Sequence, residues 1–148
     1  MTSVEGAGYA GDVAPREAWD ALSSDERAIL VDVRTRAEWS FVGVPQLAEI
    51  GKKPITLEWQ VFPSMAVNPD FVDVLDGALT KAGITRDASI YFLCRSGVRS
   101  KHAAIAMTEA GWARCFNIAS GFEGPPDPAG HRGTVDGWKA QGLPWTQT

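Results

Sequence analysis

One cysteine begins the stretch of this chain whose residue types could carry out chemistry. The stretch reads Cys94-Arg95-Ser96-Gly97-Val98-Arg99-Ser100. If the backbone curls after Cys94, its N–H groups converge into an anion-binding nest, and Gly97 permits the backbone angles that such a curl needs. The helix predicted to follow adds unpaired N–H groups and the positive end of its dipole. These features favour the thiolate, which is the nucleophilic form of cysteine.

Positive side chains are concentrated around the same stretch. Arg95, Arg99 and Lys101 place three fixed charges within seven residues, and His102 could add a fourth. A cysteine buried in a hydrophobic core would not explain this crowding, although each arginine alone could be an ordinary surface residue. The residues by themselves therefore predict a nucleophilic Cys94 that acts on a small anionic substrate.

The elements around this stretch alternate between strand and helix. Apolar segments predict strands at residues 29–33, 55–59, 89–93 and 114–118. Helical spacing and end signals predict helices at residues 15–22, 36–42, 69–82 and 98–110. This order is typical of an α/β domain with a parallel sheet, in which the cysteine stretch joins a strand to a helix.

Several side chains within these elements have specific expected positions. Asn68 is the expected N-cap of the third helix, with Pro69 at its first helical position. Trp39 and Phe41 are expected on the inner side of the second helix. Cys115, in an apolar segment, is expected to be a buried strand residue.

The composition of the chain changes after its last predicted strand. Residues 121–133 hold four glycines and three prolines, which predicts a long loop. Residues 134–141 are predicted to form a last short helix, and Trp138 and Trp145 indicate that the tail packs back on the body. The 148 residues are interpreted as one domain, with a core at about residues 13–124 and a C-terminal loop and tail at 125–148.

Composition narrows the possible partners. The formal net charge of −4 argues against nucleic acid or an anionic membrane as the main partner. No apolar run approaches the roughly 18 residues of a membrane span, and the N-terminus lacks the basic and apolar parts of a secretory signal. We therefore expect a cytoplasmic location. The spacing of the two cysteines and of His102 and His131 does not suggest a metal site.

The chain resembles the single-domain rhodaneses. The matching segments are Leu30-Val31-Asp32-Val33-Arg34, Glu38-Trp39, the stretch Cys94 to Ser100, Gly111-Trp112 and Phe116-Asn117-Ile118. The resemblance covers residues 27–124, and the tail is similar to that of a subgroup of bacterial and plastid rhodanese-like proteins. It implies an α/β fold with a central five-stranded parallel sheet flanked by helices.

The resemblance also implies an activity and a site. Cys94 would be the catalytic residue of a thiosulfate sulfurtransferase, taking the outer sulfur of thiosulfate to become a persulfide. A thiol or cyanide, or a protein sulfur acceptor, would then remove that sulfur without any metal or organic cofactor. The expected substrate-binding residues are Arg95, Ser96, Gly97, Val98, Arg99 and Ser100.

The chain departs from the rhodanese pattern at several positions. The histidine usual after the first motif is missing from the segment at residues 41–45, and the usual double glycine after the last strand is replaced by Ala119-Ser120-Gly121-Phe122. The tail beyond Gly124 is longer than in the minimal domain. Asp32 could act as a base, but the favoured interpretation is that it orders the sheet edge while Arg34 pairs with Glu38.

Two other functions remain open from the sequence. Cysteine phosphatases resemble this loop, but they place an arginine where this chain has Ser100, and their longer loop suits a phosphoryl group better than one sulfur atom. The other alternative is a rhodanese-like module that binds a partner or senses redox state. A partner-dependent sulfur carrier with little activity toward thiosulfate and cyanide lies between this module and the enzyme.

Overall fold

The computed structural model describes residues 8–147, which form a central sheet with a layer of structure on each face. The strands are β1 (Gly11–Val13), β2 (Ile29–Asp32), β3 (Val44–Pro45), β4 (Ile55–Thr56), β5 (Gln60–Val61), β6 (Ala66–Val67), β7 (Ile90–Leu93), β8 (Cys115–Ile118) and β9 (Trp145–Thr146). The helices are α1 (Pro15–Ser24), α2 (Arg36–Phe41), α3 (Phe71–Lys81) and α4 (Val98–Glu109), with a 3₁₀ turn at Ala48–Ile50.

The main sheet has five parallel strands in the order β1-β8-β7-β2-β4. Its centre is β7, whose Ile90 pairs with Ile29 of β2 on one side and with Cys115 of β8 on the other. Helices cover the sheet, so the predicted α/β fold with a five-stranded parallel sheet is confirmed. In this topology the carboxyl ends of the parallel strands lie at one edge, which is where the Cys94 loop begins.

Alternate residues of the central strands explain the two layers of the core. Ile90 and Phe92 of β7 face α3 and α4, in a cluster that includes Val31, Phe71, Leu75, Met107 and Trp112. Tyr91 and Leu93 face the opposite side, in a cluster that includes Leu22 of α1 and Leu30, Ile118, Phe122, Trp138 and Leu143. Because β7 is buried on both faces, its sequence is continuously apolar.

The C-terminal tail supplies part of the second layer. Trp138 is fully buried, and its Nε1–H donates a hydrogen bond to the Pro144 carbonyl oxygen at 2.7 Å. The tail ends in β9, which pairs antiparallel with β3 so that Trp145 lies opposite Pro45. The tail therefore packs back on the body, as predicted, on the sheet face opposite α3 and α4.

Several local predictions differ from the structure. The predicted strand at 55–59 is only Ile55–Thr56, and the predicted helix start at Pro69 shifts to Phe71, with Asp70 as N-cap. Asn68 instead accepts a hydrogen bond from the Asp70 backbone N–H at 3.0 Å, which stabilises the turn before the helix. The strand β1 was not predicted, because its polar three-residue sequence carries no apolar pattern.

Two predictions about helices are wrong. Phe41 does not face inward but is 80% exposed, because α2 is only six residues long and buries none of them fully. Residues 134–141 form turns instead of a helix. Gly137 interrupts helical geometry there with a φ of +101°, in a place where a Cβ would lie 2.8 Å from the Gly124 nitrogen.

No helix within residues 8–147 has both the length and the apolar character needed to cross a bilayer.

Packing of the tail on the sheet predicts a large effect of Trp138→Ala. Removing this fully buried ring should lower the free energy of unfolding by about 3–5 kcal/mol, because it leaves a cavity against Leu22 and Phe122. Urea unfolding followed by circular dichroism measures the loss. The control is Val135→Ala, since Val135 is 56% exposed. Equal unfolding free energies for the two variants would contradict this packing.

Candidate active site

Cys94 begins the turn that connects β7 to α4, at the carboxyl edge of the sheet. The residue is 1% exposed, and its sulfur lies 3.1 Å from the Gly97 nitrogen, whose N–H points at it. The Ser100 hydroxyl oxygen lies 3.2 Å from the same sulfur. The backbone therefore curls around the sulfur of Cys94 and directs an N–H group toward it.

This curl requires glycine at position 97. The φ of Gly97 is +108°, and a Cβ there would overlap the carbonyl oxygen of Ala119. A side chain would therefore clash with the backbone that follows β8, besides adopting a strained conformation. Gly97 thus serves both the turn and the close approach of two backbone segments.

Residues 122–124, which follow β8, hold the Cys94 loop by backbone hydrogen bonds. The Cys94 carbonyl oxygen accepts from the Phe122 N–H at 2.8 Å, and the Arg95 carbonyl oxygen accepts from the N–H of Glu123 at 3.0 Å and of Gly124 at 3.1 Å. Gly121 allows this approach, because a Cβ there would lie 2.5 Å from the Arg95 oxygen. The departure from the double-glycine pattern therefore keeps a glycine where close approach demands one.

Cys94 borders a pocket of about 410 Å³. The residues lining it are Glu38, Gln60, Met65, Cys94, Arg95, Ser96, Val98 and Arg99. Four of the predicted substrate-binding residues line this pocket, namely Arg95, Ser96, Val98 and Arg99. Gly97 and Ser100 contact the Cys94 sulfur but are not among the lining residues. Lys101 and His102 are exposed on α4 and do not line it, so they do not join the predicted cation cluster.

The Arg99 side chain is held by a carboxylate and does not reach freely into the pocket. Its Nη1 and Nη2 donate to the two oxygens of Glu38 at 2.6 and 2.9 Å, in a mostly buried bidentate pair. Burial by itself raises the pKa of Glu38, but the Arg99 guanidinium outweighs burial and holds that pKa below its ordinary value of 4.5. Among the described residues lining the pocket, Arg95 is therefore the cation without a carboxylate partner.

Glu38 also joins the loop to the start of α2. Its Oε1 accepts from the Thr35 backbone N–H at 3.1 Å, while Thr35 Oγ1 accepts from the Glu38 N–H at 3.3 Å, forming a capping box. The expected pairing of Arg34 with Glu38 is wrong. Arg34 instead donates to both oxygens of Asp32, at 2.9 and 2.6 Å, in a fully buried pair.

The Asp32–Arg34 pair accounts for Asp32 without a role as base. Both side chains are fully buried, and Arg34 Nη2 also donates to the Gly43 carbonyl oxygen at 2.8 Å. The Arg34 guanidinium lies 4.2 Å from the centre of the Phe122 ring. The pair therefore ties the end of β2 to the segment before β3 and to the tail.

Sequence reasoning did not assign three residues of the pocket wall, which are Glu38, Gln60 and Met65. Gln60 and Met65 come from the hairpin formed by β5 and β6, which pair antiparallel. Met65 has a φ of +59°, which is uncommon for a residue with a side chain. Pro63 and Ser64 signal a turn in the sequence, but no local signal indicates that this turn borders the Cys94 pocket.

Cys115 contrasts with Cys94 in its chemistry. Burial raises the pKa of the Cys115 thiol to about 12, and its S–H donates to the Trp112 carbonyl oxygen at 3.2 Å. This thiol stays protonated at neutral pH and is not a nucleophile. It is a buried strand residue, as predicted.

Comparison with known proteins assigns the family. Residues 10–148 match the family described as the STR4 middle domain. The chain belongs to this family. An uncharacterized protein of Rickettsia conorii is 41% identical to this chain over 90% of the chain and 95% of its own length. The chloroplastic rhodanese-like domain-containing protein 4 of Arabidopsis thaliana is 25% identical over 93% of the chain and 26% of its own length.

Several solved structures have a fold similar to that of this chain. The crystal structure of Rv0390 from M. tuberculosis has a TM-score of 0.82 and 46% identity, covering 95% of this chain and 99% of that one. The polysulfide-sulfur transferase of Wolinella succinogenes has a TM-score of 0.60 and 19% identity, covering 98% of this chain and 85% of that one. The rhodanese-like domain of an Anabaena protein has a TM-score of 0.57 and 16% identity, covering 93% of this chain and 79% of that one, so the chain has a rhodanese-like fold.

The pair between Glu38 and Arg99 predicts a pH-dependent stability difference for Glu38→Gln. Glutamine keeps the capping box but loses the ion pair, so the free energy of unfolding at pH 7 should fall by about 2 kcal/mol. Because the folded-state pKa of Glu38 is lowered, this contribution is present above pH 4.5 and is lost as the pH falls below it.

Urea unfolding of both proteins between pH 3 and pH 7 measures that difference. The gap between wild type and the variant should close toward pH 3. A gap that is constant across this range would show that the carboxylate charge of Glu38 does not stabilise the fold.

Proposed function

We propose that this chain is a sulfurtransferase that moves a sulfane sulfur from thiosulfate, or a similar donor, to a thiophilic acceptor through a persulfide on Cys94. One observation carries the proposal: the Cys94 sulfur is enclosed by its own curled loop, with the Gly97 N–H directed at it, beside a pocket that holds Arg95. The rhodanese name of the plant relative supports the same chemistry.

The chemistry needs only the cysteine and a donor. The Cys94 thiolate attacks the outer sulfur of thiosulfate, the S–S bond of thiosulfate breaks, and sulfite leaves with the bonding electron pair. The resulting persulfide carries one negative charge on its terminal sulfur, which backbone N–H groups of the loop can stabilise. Cyanide or a thiolate then attacks that terminal sulfur, giving thiocyanate or a new persulfide, and the Cys94 thiolate is restored.

The geometry favours sulfur over phosphate as the transferred group. In phosphoryl transfer, a positive group such as an arginine stabilises the charge on the equatorial oxygens of the phosphoryl group. Here Arg99 is committed to Glu38 by two short hydrogen bonds, and the following position is Ser100, which lies behind the sulfur. The loop therefore lacks a free guanidinium at the position where a cysteine phosphatase carries its arginine, which is Ser100 here.

The pocket also bears on the acceptor. Its volume of about 410 Å³ greatly exceeds that of thiosulfate, whose formula is S₂O₃²⁻. Met65 and Val98 place apolar, exposed surface at its wall. A thiol carried on a larger molecule, such as a protein sulfur acceptor, suits this opening, so a partner-dependent sulfur carrier is the second candidate function.

Incubation with thiosulfate should add the mass of one sulfur atom to wild type and none to Cys94→Ser, because only Cys94 can form the persulfide. Intact-protein mass spectrometry measures the addition, and Cys115→Ser is the matched control that should label like wild type. Label on Cys115, or equal label on both cysteine variants, would contradict the proposal. Persulfide formation with little release of thiocyanate would favour the partner-dependent carrier.

Replacing Arg95 with alanine should weaken the use of thiosulfate more than it weakens the fold. Loss of a charge-assisted bond of about 1.5–3 kcal/mol corresponds to roughly 10- to 100-fold in kcat/KM. Steady-state assays of thiocyanate formation measure this change. Lys81→Ala removes an exposed charge at the distant end of α3 and serves as the control. Unchanged kinetics for Arg95→Ala would mean that backbone N–H groups alone hold the anion.

A further inference from the structure

A chain of hydrogen bonds, buried at its Cys94 end and partly buried at Asp12, leads from the Cys94 sulfur to the first strand. Ser100 Oγ lies 3.2 Å from this sulfur and 2.6 Å from Asn117 Oδ1. The Asn117 Nδ2 donates to the Gly97 carbonyl oxygen and to Asp12 Oδ1, each at 3.1 Å. Asp12 also accepts from the Tyr9 hydroxyl at 2.7 Å. Ser100 and Asn117 are buried, so these partners account for polar groups that water does not reach.

The orientation of the Asn117 amide follows from its partners. The Asp12 carboxylate and the Gly97 carbonyl can only accept, so the amide nitrogen must face them. The amide oxygen therefore faces Ser100, and because an amide oxygen can only accept, Ser100 must donate its proton to it. The bond between these two oxygens is the shorter of the two that Ser100 could make.

This assignment determines what Ser100 can offer to the sulfur. A hydroxyl has one proton, and here Asn117 holds it, so Ser100 presents a lone pair toward Cys94. That lone pair can accept from the Cys94 thiol. It cannot stabilise the thiolate unless the Ser100 proton turns away and leaves the buried oxygen of Asn117 without a donor. A persulfide has its charge on the terminal sulfur, so the bond between Ser100 and Asn117 can persist in that state.

We propose that Asn117 is a positioning residue for sulfur transfer. It holds the Ser100 hydroxyl proton, and thereby disfavours the Cys94 thiolate that carries no transferred sulfur atom, relative to both the thiol and the persulfide. This inference deepens the proposed function and rests on it for its role in catalysis. Asn117 touches no part of the pocket and acts on Cys94 through Ser100.

The charged groups around Cys94 are not part of the hydrogen bond between Ser100 and Asn117. Arg95 belongs to the same loop, and the Arg99 of α4 is paired with the Glu38 of α2. Asp32 and Arg34 form their own buried pair after β2, and Asp12 of β1 reaches the sulfur only through Asn117 and Ser100. Replacing Asn117 or Ser100 removes none of these charges, and replacing Asn117 also removes the amide donor to Asp12 and to the Gly97 carbonyl oxygen.

The test is a double-mutant cycle on the reactivity of Cys94. The rate of its alkylation by iodoacetamide is measured from pH 5 to pH 10 in wild type, Asn117→Leu, Ser100→Ala and the double variant. Leucine has a similar volume but no acceptor, so it frees the Ser100 hydroxyl to donate to the thiolate. We expect the pH of half-maximal alkylation to fall by about one unit, corresponding to roughly tenfold in thiolate population below the midpoint.

The cycle separates a relay from a general disturbance. If Asn117 acts through Ser100, Asn117→Leu should cause no further shift in the Ser100→Ala background. An equal shift in both backgrounds, or no shift in either, would overturn the proposal. Ser89→Ala replaces a buried serine at the start of β7 and should leave the profile unchanged.

The folding of each variant and the proposed sulfur transfer are tested by separate measurements. Cys115 should remain unmodified in every variant that keeps its core, and Asn117→Ala carries the same expectation if the leucine variant does not fold. Alkylation needs no sulfur donor, so the cycle can succeed even if no persulfide forms with thiosulfate. In that case the relay would stand and the proposed function would fail.

Discussion

The curl of the Cys94 loop depends on two places where backbone meets backbone without an intervening side chain. Gly97 lies against the Ala119 carbonyl, and Gly121 lies against the Arg95 carbonyl. Together they let the segment after β8 support the turn after β7, which places the Gly97 N–H on the sulfur. A Cβ at either position would push these segments apart, and the contact of the Gly97 N–H with the Cys94 sulfur would be disturbed with it.

Glu38 connects α2 to the Cys94 loop and pairs with one of the loop's two arginines. Glu38 caps α2 through Thr35 and at the same time binds the guanidinium of Arg99. This pair attaches a short helix, which has no fully buried residue of its own, to the start of α4. Among the residues 8–147 that line the pocket, this pairing leaves Arg95 as the cation without a carboxylate partner.

The tail completes the fold by covering the sheet face opposite α3 and α4. Trp138 fills the core beside Phe122, and the Phe122 ring in turn contacts the buried guanidinium of Arg34. The segment just before the tail, residues 121–124, holds the Cys94 loop by three backbone hydrogen bonds. Support for the loop and closure of the core therefore come from one continuous stretch of chain, which links the stability of the tail to the shape of the site.

The sequence by itself determined the features that depend on neighbours along the chain. The apolar runs predicted the central strands, and the order strand, cysteine, glycine and helix predicted the α/β fold and a curled loop at Cys94, since periodicity and turn chemistry are local properties. The nucleophilic role of Cys94 stays a prediction. Only the tertiary structure decided which charges pair. Arg99 finds Glu38, which lies 61 positions earlier, and Arg34 takes Asp32 instead. The contributions of Asn117, Gln60 and Met65 were likewise invisible, because they follow from segments that meet only when the sheet closes.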